Sequence, residues 1–123
     1  MKATLQAAIL FAKDISALTR FYRDGLGLAV IAARATATWV PLDAGGVELA
    51  LHAIPDEIAR DIAIASPPVP REDTPIKLVF EVADLEAARA HLIAHGASMQ
   101  EPRWGGCDGC DPEGNVFRIA TAP

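Results

Sequence analysis

The chain has 123 residues, a length that predicts a single domain, 1–123, able to bury its own core without disulfides or a structural metal. A composition of 51% apolar and 22% charged residues excludes a disordered protein. A net charge of −5 without a basic block, and the lack of any apolar run long enough for a membrane helix, predict neither a nucleic acid nor a membrane as partner.

The apolar stretch Met1–Ala12 does not fit a signal peptide well. Gln6 interrupts it, and Lys13 and Asp14 stand where a cleavage site needs small residues. The two cysteines are too few for a secreted disulfide scaffold. We therefore expect a cytoplasmic protein.

The sequence repeats itself with a period of 70 residues. Ile9–Ile15 aligns with Val79–Leu85, and in both copies an apolar run ends at an aspartate, Asp14 or Asp84. A carboxylate at this position can accept from the free N–H groups of a first helical turn, and apolar residues follow at helical spacing. The pattern predicts, in each half, a strand and a capped helix that ends at glycine.

Further strands are predicted after each helix. The turn signals Asp43–Gly46 and Asp111–Asn115 each precede an alternating apolar run. The later strands are predicted at about Leu28–Ala33, Thr36–Leu42 and Val47–Leu49 in the first half, and Ala97–Glu101, Gly106–Cys110 and Phe117–Ile119 in the second. The predicted fold class is therefore α+β, with two βαβββ repeats.

Repeat 1 is predicted to cover about residues 5–53 and repeat 2 about residues 76–121, with residues 54–75 as a linker. Ile54–Ala59 is predicted to form a short helix with a proline in its first turn. Ser66–Pro70 contains three prolines and is predicted to be exposed, extended chain. This segment is either a plain connector or a flap over a site.

Two separated motifs resemble the vicinal oxygen chelate superfamily, which includes glyoxalases, bleomycin resistance proteins and extradiol dioxygenases. Asp14–Leu28 is similar to its N-terminal signature, and Trp104–Asn115, with Trp-Gly and Asp-Pro-Glu-Gly-Asn, to its C-terminal one. The resemblance implies a glyoxalase/bleomycin-resistance-like fold, with helices on the outer faces of two concave mixed sheets. In the family these sheets close a cavity, built by one chain or by two chains of a dimer. The fold does not specify an activity.

Metal-dependent members of the superfamily use four His or Glu ligands on the first and last strands of each repeat. Carried over one position at a time, these ligands fall on Ala7, Glu48, Lys77 and Arg118. Only Glu48 could bind a metal, because alanine has no donor atom and the two cations would repel a divalent ion. The resemblance therefore predicts no metal and no other cofactor in this chain.

Strand alternation places charged residues on one face of each predicted sheet. Glu48 and His52 share a face in the first half, and Lys77, Glu81 and Arg118 do so in the second. This face is either half solvated or the lining of a cavity. In a cavity, Glu48 should pair with Arg118 or Lys77 or await an anion, because a buried charge is costly unless it is paired.

The candidate ligand-binding residues are Glu48, Lys77, Arg118, His52, Trp39 and Trp104, and Glu48 is also the candidate catalytic base. Each tryptophan either packs in a core or interface or stacks on a ligand. Cys107 and Cys110 form a C-x-x-C without a second pair for zinc and without a helix to activate a thiol. We expect two reduced thiols, with an incidental disulfide or redox sensing as the alternative.

Three functions remain open. The first is a metal-independent protein that binds a small, anionic or carbonyl-bearing molecule, like the bleomycin-resistance branch. The second is a lyase, isomerase or dioxygenase that uses an unusual metal set or the Lys77 and Arg118 cations, with Glu48 as base. The third is an interaction module with a filled cavity. We favour the first, in a homodimer that covers the open sheet edges and apolar surface.

Overall fold

The computed structural model describes residues 1–71 and 73–123. The chain divides into two compact units, Met1–Ala63 and Ile64–Pro123, each built on one four-stranded sheet. The predicted α+β class with two mixed sheets is confirmed. Within the described residues, no helix has both the length and the apolar composition that crossing a bilayer requires.

The first unit contains four strands and short helical segments. In chain order these are β1 (Ala7–Ala12), α1 (Ile15–Arg20), a π-helical turn (Phe21–Gly25), β2 (Ala29–Val30), a 3₁₀ turn (Ala32–Arg34), β3 (Trp39–Asp43), β4 (Glu48–Ala53) and α2 (Asp56–Ala59). The strand order is β1-β4-β3-β2, with β1 parallel to β4 and the other pairs antiparallel.

Helix α1 begins where the sequence predicts it, because the Asp14 carboxylate accepts a hydrogen bond from the backbone N–H of Ala17 at 3.0 Å. The helix packs against β4 and covers one face of the sheet. Leu18 of the helix and Leu49 and Leu51 of β4 are buried there. The opposite face of the sheet is left uncovered within this unit.

The predicted strand at Leu28–Ala33 is much shorter in the structure. Only Ala29–Val30 pairs with β3, and the chain then forms the 3₁₀ turn Ala32–Arg34. The three residues of this turn are strong helix formers, and the backbone N–H of Arg34 bonds to the carbonyl of Ile31. This turn carries the Arg34 side chain toward β4.

The second unit repeats the pattern with β5 (Leu78–Glu81), α3 (Leu85–Ala94), β6 (Ser98–Met99), β7 (Gly106–Cys110) and β8 (Val116–Ala120). Its strand order is β5-β8-β7-β6, with β5 parallel to β8. Asp84 caps α3 through the N–H of Ala87 at 3.0 Å, as predicted. Helix α3 packs against β7 and β8, and Leu92, Phe117 and Ile119 form the buried core.

The hairpin turn Asp111–Asn115 is held by a buried aspartate. The Asp111 carboxylate accepts from the backbone N–H groups of Glu113 and Asn115 and from the Asn115 amide, at 2.9–3.1 Å. The segment Ser66–Arg71 packs on this turn: Arg71 donates its backbone N–H to the Gly114 carbonyl at 2.9 Å, and Ser98 donates to the Pro68 carbonyl. We call Ser66–Arg71 the strap.

Candidate functional site

The uncovered side of the first sheet carries an aromatic row. Phe11 on β1, His52 on β4 and Trp39 on β3 are direct neighbours in the strand register. The His52 ring centroid lies 5.7 Å from that of Phe11 and 5.5 Å from that of Trp39. Phe11 is 59% exposed. We call this surface, with Ile9, Ala50 and Glu48, the first-unit face.

Glu48 lies at the other end of the first-unit face and is paired with Arg34. Both carboxylate oxygens of Glu48 accept hydrogen bonds from the Arg34 guanidinium. The hydrogen bond and the charge of Glu48 raise the pKa of Arg34 above its ordinary value. Ala7 is the residue directly opposite Glu48 on β1, so no side-chain donor atom stands beside this carboxylate on that strand.

The side of the second sheet that faces away from α3 carries a cluster of two cations and one anion. Asp108 on β7 lies directly opposite Arg118 on β8. Asp108 accepts from Arg118 Nη1 at 3.2 Å and lies 3.3 Å from Lys77 Nζ through its other oxygen. Burial alone would raise the pKa of Asp108, but hydrogen bonds from Arg118 and Lys77 outweigh it and hold that pKa below its ordinary value. We call this cluster, with Val79, the second-unit face.

Arg118 is held by more than Asp108. Its Nη2 donates to the carbonyls of Arg103 at 2.7 Å and Trp104 at 2.9 Å. The guanidinium passes over Gly106, where a Cβ atom would lie only 2.6 Å from it. A glycine at this position is therefore what allows Arg118 to reach the loop before β7.

Trp104 stands at the tip of that loop. It is 83% exposed, and its backbone has a φ of 52°, a left-handed conformation that is uncommon for a bulky residue. Its carbonyl is bonded to Arg118, and the Arg103 guanidinium lies 4.4 Å from its ring centroid. Arg118 therefore holds the backbone of this loop, and Arg103 contacts an aromatic ring that is otherwise largely open to solvent.

The two cysteines lie on opposite sides of β7. They are three residues apart in an extended strand, which separates their Cα atoms by about 10 Å, beyond the reach of a disulfide. Both are free and buried, and burial raises the pKa of each thiol. Cys107 donates to the Gln100 carbonyl at 2.9 Å. Neither thiol has the exposed, cation-activated setting of a reactive cysteine.

The charge pairs differ from those that the sequence predicted. Glu48 was expected to pair with Arg118 or Lys77 or to await an anion. Glu48 instead has Arg34 as its partner, and Lys77 and Arg118 both have Asp108. Asp108 was missed, although strand alternation places it on the same face as Arg118. Arg34 gave no comparable signal, because its position depends on the 3₁₀ turn.

The register of the second sheet also differs from that of the first. Ala7 stands opposite Glu48, whereas the residue opposite Arg118 is Val79, two positions after Lys77. Lys77 precedes the first residue of β5 and reaches Asp108 from the strand end. Within residues 1–71 and 73–123, no three His, Cys, Asp or Glu side chains converge as a metal cluster would require.

The glyoxalase-like domain, a protein family defined by its sequence pattern, matches residues 7–120. The chain belongs to this family. The match covers the two sheets and both motifs, so the resemblance to the vicinal oxygen chelate superfamily is confirmed. No curated protein matches the chain.

Solved structures show the same glyoxalase-like fold. A glyoxalase/bleomycin resistance protein/dioxygenase family enzyme from Burkholderia phytofirmans PsJN is 23% identical with a TM-score of 0.73, over 95% of this chain and 97% of that chain. The lactoylglutathione lyase of Agrobacterium tumefaciens is 22% identical with a TM-score of 0.64, over 98% and 95%.

A third similar structure contains a ligand. It is the bleomycin-binding protein of bleomycin-producing Streptomyces verticillus, complexed with copper(II)-bleomycin. It is 18% identical with a TM-score of 0.62, over 100% of this chain and 99% of that chain. At these identities, the three structures establish only the fold that this glyoxalase-like chain shares with them. They do not establish an activity.

Proposed function

We propose that this glyoxalase-like protein binds a small molecule carrying a carboxylate or carbonyl group, and that it does so without a divalent metal. The observation that carries the proposal is the cluster of Lys77, Asp108 and Arg118 on a sheet face that also exposes Val79 and, at the far end of β5, Glu81. Two cations share one anion there, so one positive charge is in excess. An oxyanion or a polarised carbonyl oxygen would balance that charge.

Lys77 is the cation best placed to meet the ligand. Its side chain is 45% exposed, and an ammonium group has three N–H donors, of which Asp108 engages one. The Arg118 side chain is only 18% exposed and is already bonded to Asp108 and two carbonyls. Arg118 therefore fixes Asp108 and the Trp104 loop, and Lys77 supplies the free donors.

The rest of the ligand needs apolar contact, and the second-unit face offers it. Val79 is 60% exposed and stands directly beside Arg118, and Trp104 is 83% exposed. Burying such side chains contributes roughly 25 cal/mol for each Å² of apolar surface removed from water. A ligand with a carboxylate and a compact apolar or aromatic body fits this combination.

The residues that the resemblance assigns to the family's metal positions do not suit a divalent metal. Ala7 offers no donor atom, and Lys77 and Arg118 are cations already associated with Asp108. Glu48 would be the single ligand left, and both of its oxygens bind Arg34. We therefore assign no step of binding or chemistry to a metal.

The enzymatic alternative depends on Glu48 as a base. A general base needs a carboxylate oxygen within hydrogen-bond reach of the proton that it removes. In this structure both Glu48 oxygens already accept from Arg34, so a substrate proton would have to reach one of their remaining lone pairs. Binding at the second-unit face does not involve Glu48, and the complex of the Streptomyces verticillus relative with copper(II)-bleomycin supports binding as a function of this fold.

The proposal is tested by thermal unfolding with three matched compounds, benzoate, benzamide and benzylamine. A ligand that binds only the folded protein raises its stability by RT ln(1 + [L]/Kd). We expect benzoate to raise the melting temperature more than the amide or the amine. Lys77→Met should remove the difference, Arg118→Met should do the same, and Lys2→Met, at the exposed N-terminus, should leave it intact.

Equal shifts from the acid, the amide and the amine would contradict the proposal. So would an acid preference that survives in Lys77→Met. Because Arg118→Met also removes hydrogen bonds to the Trp104 loop, the lysine variant is the cleaner of the two.

A further inference from the structure

A second concave site lies on the helix side of the first unit, between α1 and the segment that leads into β3. It has a volume of about 450 Å³, and its lining includes the polar residues Ser16, Arg20, Arg23 and Thr36 and the apolar residues Ile15 and Val40. This size falls within the roughly 300–1,000 Å³ of small-molecule sites. We call it the α1 groove. None of the residues in the proposed function lines it.

The α1 groove is positively charged in a protein of net charge −5. Two arginines line it, and none of its lining residues is acidic. Arg23 donates to the carboxylate of the neighbouring Asp24 at 2.7 and 3.0 Å, and this carboxylate balances the charge of Arg23. Arg20 makes no ion pair with any residue in 1–71 or 73–123, so its guanidinium supplies the excess positive charge.

Two residues with hydroxyl groups line the same groove as Arg20. Ser16 lies one helical turn before Arg20, at the i, i+4 spacing that puts two side chains on the same helix face. Across the groove, the Thr36 hydroxyl oxygen accepts from the backbone N–H groups of Thr38 at 3.2 Å and Trp39 at 3.0 Å. These bonds fix the position of the Thr36 oxygen and leave its own O–H to donate.

We propose that the α1 groove binds the oxyanion of a small molecule, a phosphate or a carboxylate. Arg20 provides a charged donor, and Ser16 and Thr36 provide hydroxyl donors from two sides. A guanidinium can bind such a group through two parallel hydrogen bonds. Ile15 and Val40 contact the apolar part of the molecule. This site is separate from the second-unit face, and either can exist without the other.

The test is a nuclear magnetic resonance titration of the ¹⁵N-labelled protein with phenyl phosphate, benzoate and benzamide. We expect saturable shifts of the Ser16, Arg20 and Thr36 amide signals with at least one of the two anions, and none with benzamide. The two anions distinguish a phosphate site from a carboxylate site. Shifts around Lys77 with benzoate report on the proposed function separately.

The matched variants are Arg20→Gln and Arg60→Gln. Both remove one exposed arginine from the first unit, but Arg60 follows α2 and does not line the groove. Arg20→Gln should weaken binding at the groove by about tenfold or more, because a hydrogen bond to a charged group contributes more than a neutral one. Arg60→Gln should leave it unchanged.

Ser16→Ala is a second variant that keeps the charge and favours the helix. It should weaken anion binding at the groove several-fold and leave the fold intact. This variant keeps the test decisive if Arg20→Gln does not fold. Shifts that never saturate would overturn the proposal. So would binding at the groove that is weakened equally by Arg20→Gln and Arg60→Gln. Shifts confined to residues outside the groove would overturn it too.

Discussion

At the residue scale, Asp108 sets the charge of the second-unit face. Its pKa is held below the ordinary value by Arg118 and Lys77, so the folded state favours the ionised form. A depressed pKa contributes stability that is fully present above the unfolded value of about 3.9 and is lost as the pH falls through the lower folded value. The stability of the second unit should therefore fall at acid pH, as Asp108 becomes protonated.

We predict that Asp108→Asn lowers the free energy of unfolding at pH 7 by on the order of 1 kcal/mol, a size typical of a partly exposed ion pair. Urea unfolding of the variant and the parent at pH 7 and near pH 3 measures this. The difference should shrink at the lower pH.

The matched control for Asp108→Asn is Asp24→Asn. Asp24 is also paired with an arginine, at 2.7 Å, but both side chains are nearly half exposed. Its loss should change stability little at either pH, since exposed ion pairs contribute little. An equal effect of the two substitutions, or an effect of Asp108→Asn that does not depend on pH, would contradict this account.

At the element scale, the strap is fixed to the turn before β8. Gly114 has a φ of 86°, and a Cβ atom there would lie 2.5 Å from the Val69 carbonyl oxygen of the strap. The turn and the strap can approach this closely only because the residue is glycine. The strap contains Ser66–Pro70, which the sequence left open as a connector or a flap. It is held by several hydrogen bonds to the rest of the second unit.

We predict that Gly114→Ala destabilises the protein more than Gly45→Ala. Gly45 has a similar φ of 83°, but nothing lies within 4 Å of a Cβ atom at that position. Gly45→Ala should cost about 1–2 kcal/mol from backbone strain alone. Gly114→Ala should cost a further 1–3 kcal/mol or so from the clash with the strap. Equal urea midpoints for the two variants would show that the strap is not held at Gly114.

The elements that the sequence predicted well are those set by local chemistry. Asp14 and Asp84 cap helices because a carboxylate needs only the next turn as its partner. Strand β7 matches its predicted bounds of Gly106–Cys110. The repeat boundaries and the roles of the site residues stay predictions, because neither follows from the fold alone.

The details that the sequence did not predict depend on strand register and on contacts between distant residues. The helix caps Asp14 and Asp84 are 70 residues apart, but the turn residues Asp43 and Asp111 are only 68 apart. This difference of two accompanies the shift that puts Val79, rather than Lys77, beside Arg118. A period read from the helices could not reveal it, and no local signal predicted the 3₁₀ turn that carries Arg34.

At the scale of the whole molecule, we expect a homodimer. Both sheets end in unpaired edge strands, and the first-unit face exposes Ile9 and Phe11 while the second exposes Val79. Exposed apolar groups and open edges favour association with a second copy. Light scattering at micromolar concentration should give about twice the 13.0 kDa of one chain. A particle of one chain's mass at that concentration would refute the dimer.

We predict that an anionic molecule binds this glyoxalase-like protein without a metal. The most direct test is a calorimetric titration with benzoate, before and after treatment with a strong chelator, with elemental analysis of the same sample. We predict the same binding curve in both states and no stoichiometric divalent ion. A divalent ion bound in proportion to the chain, lost in Glu48→Gln, together with binding that disappears on chelation, would contradict the account.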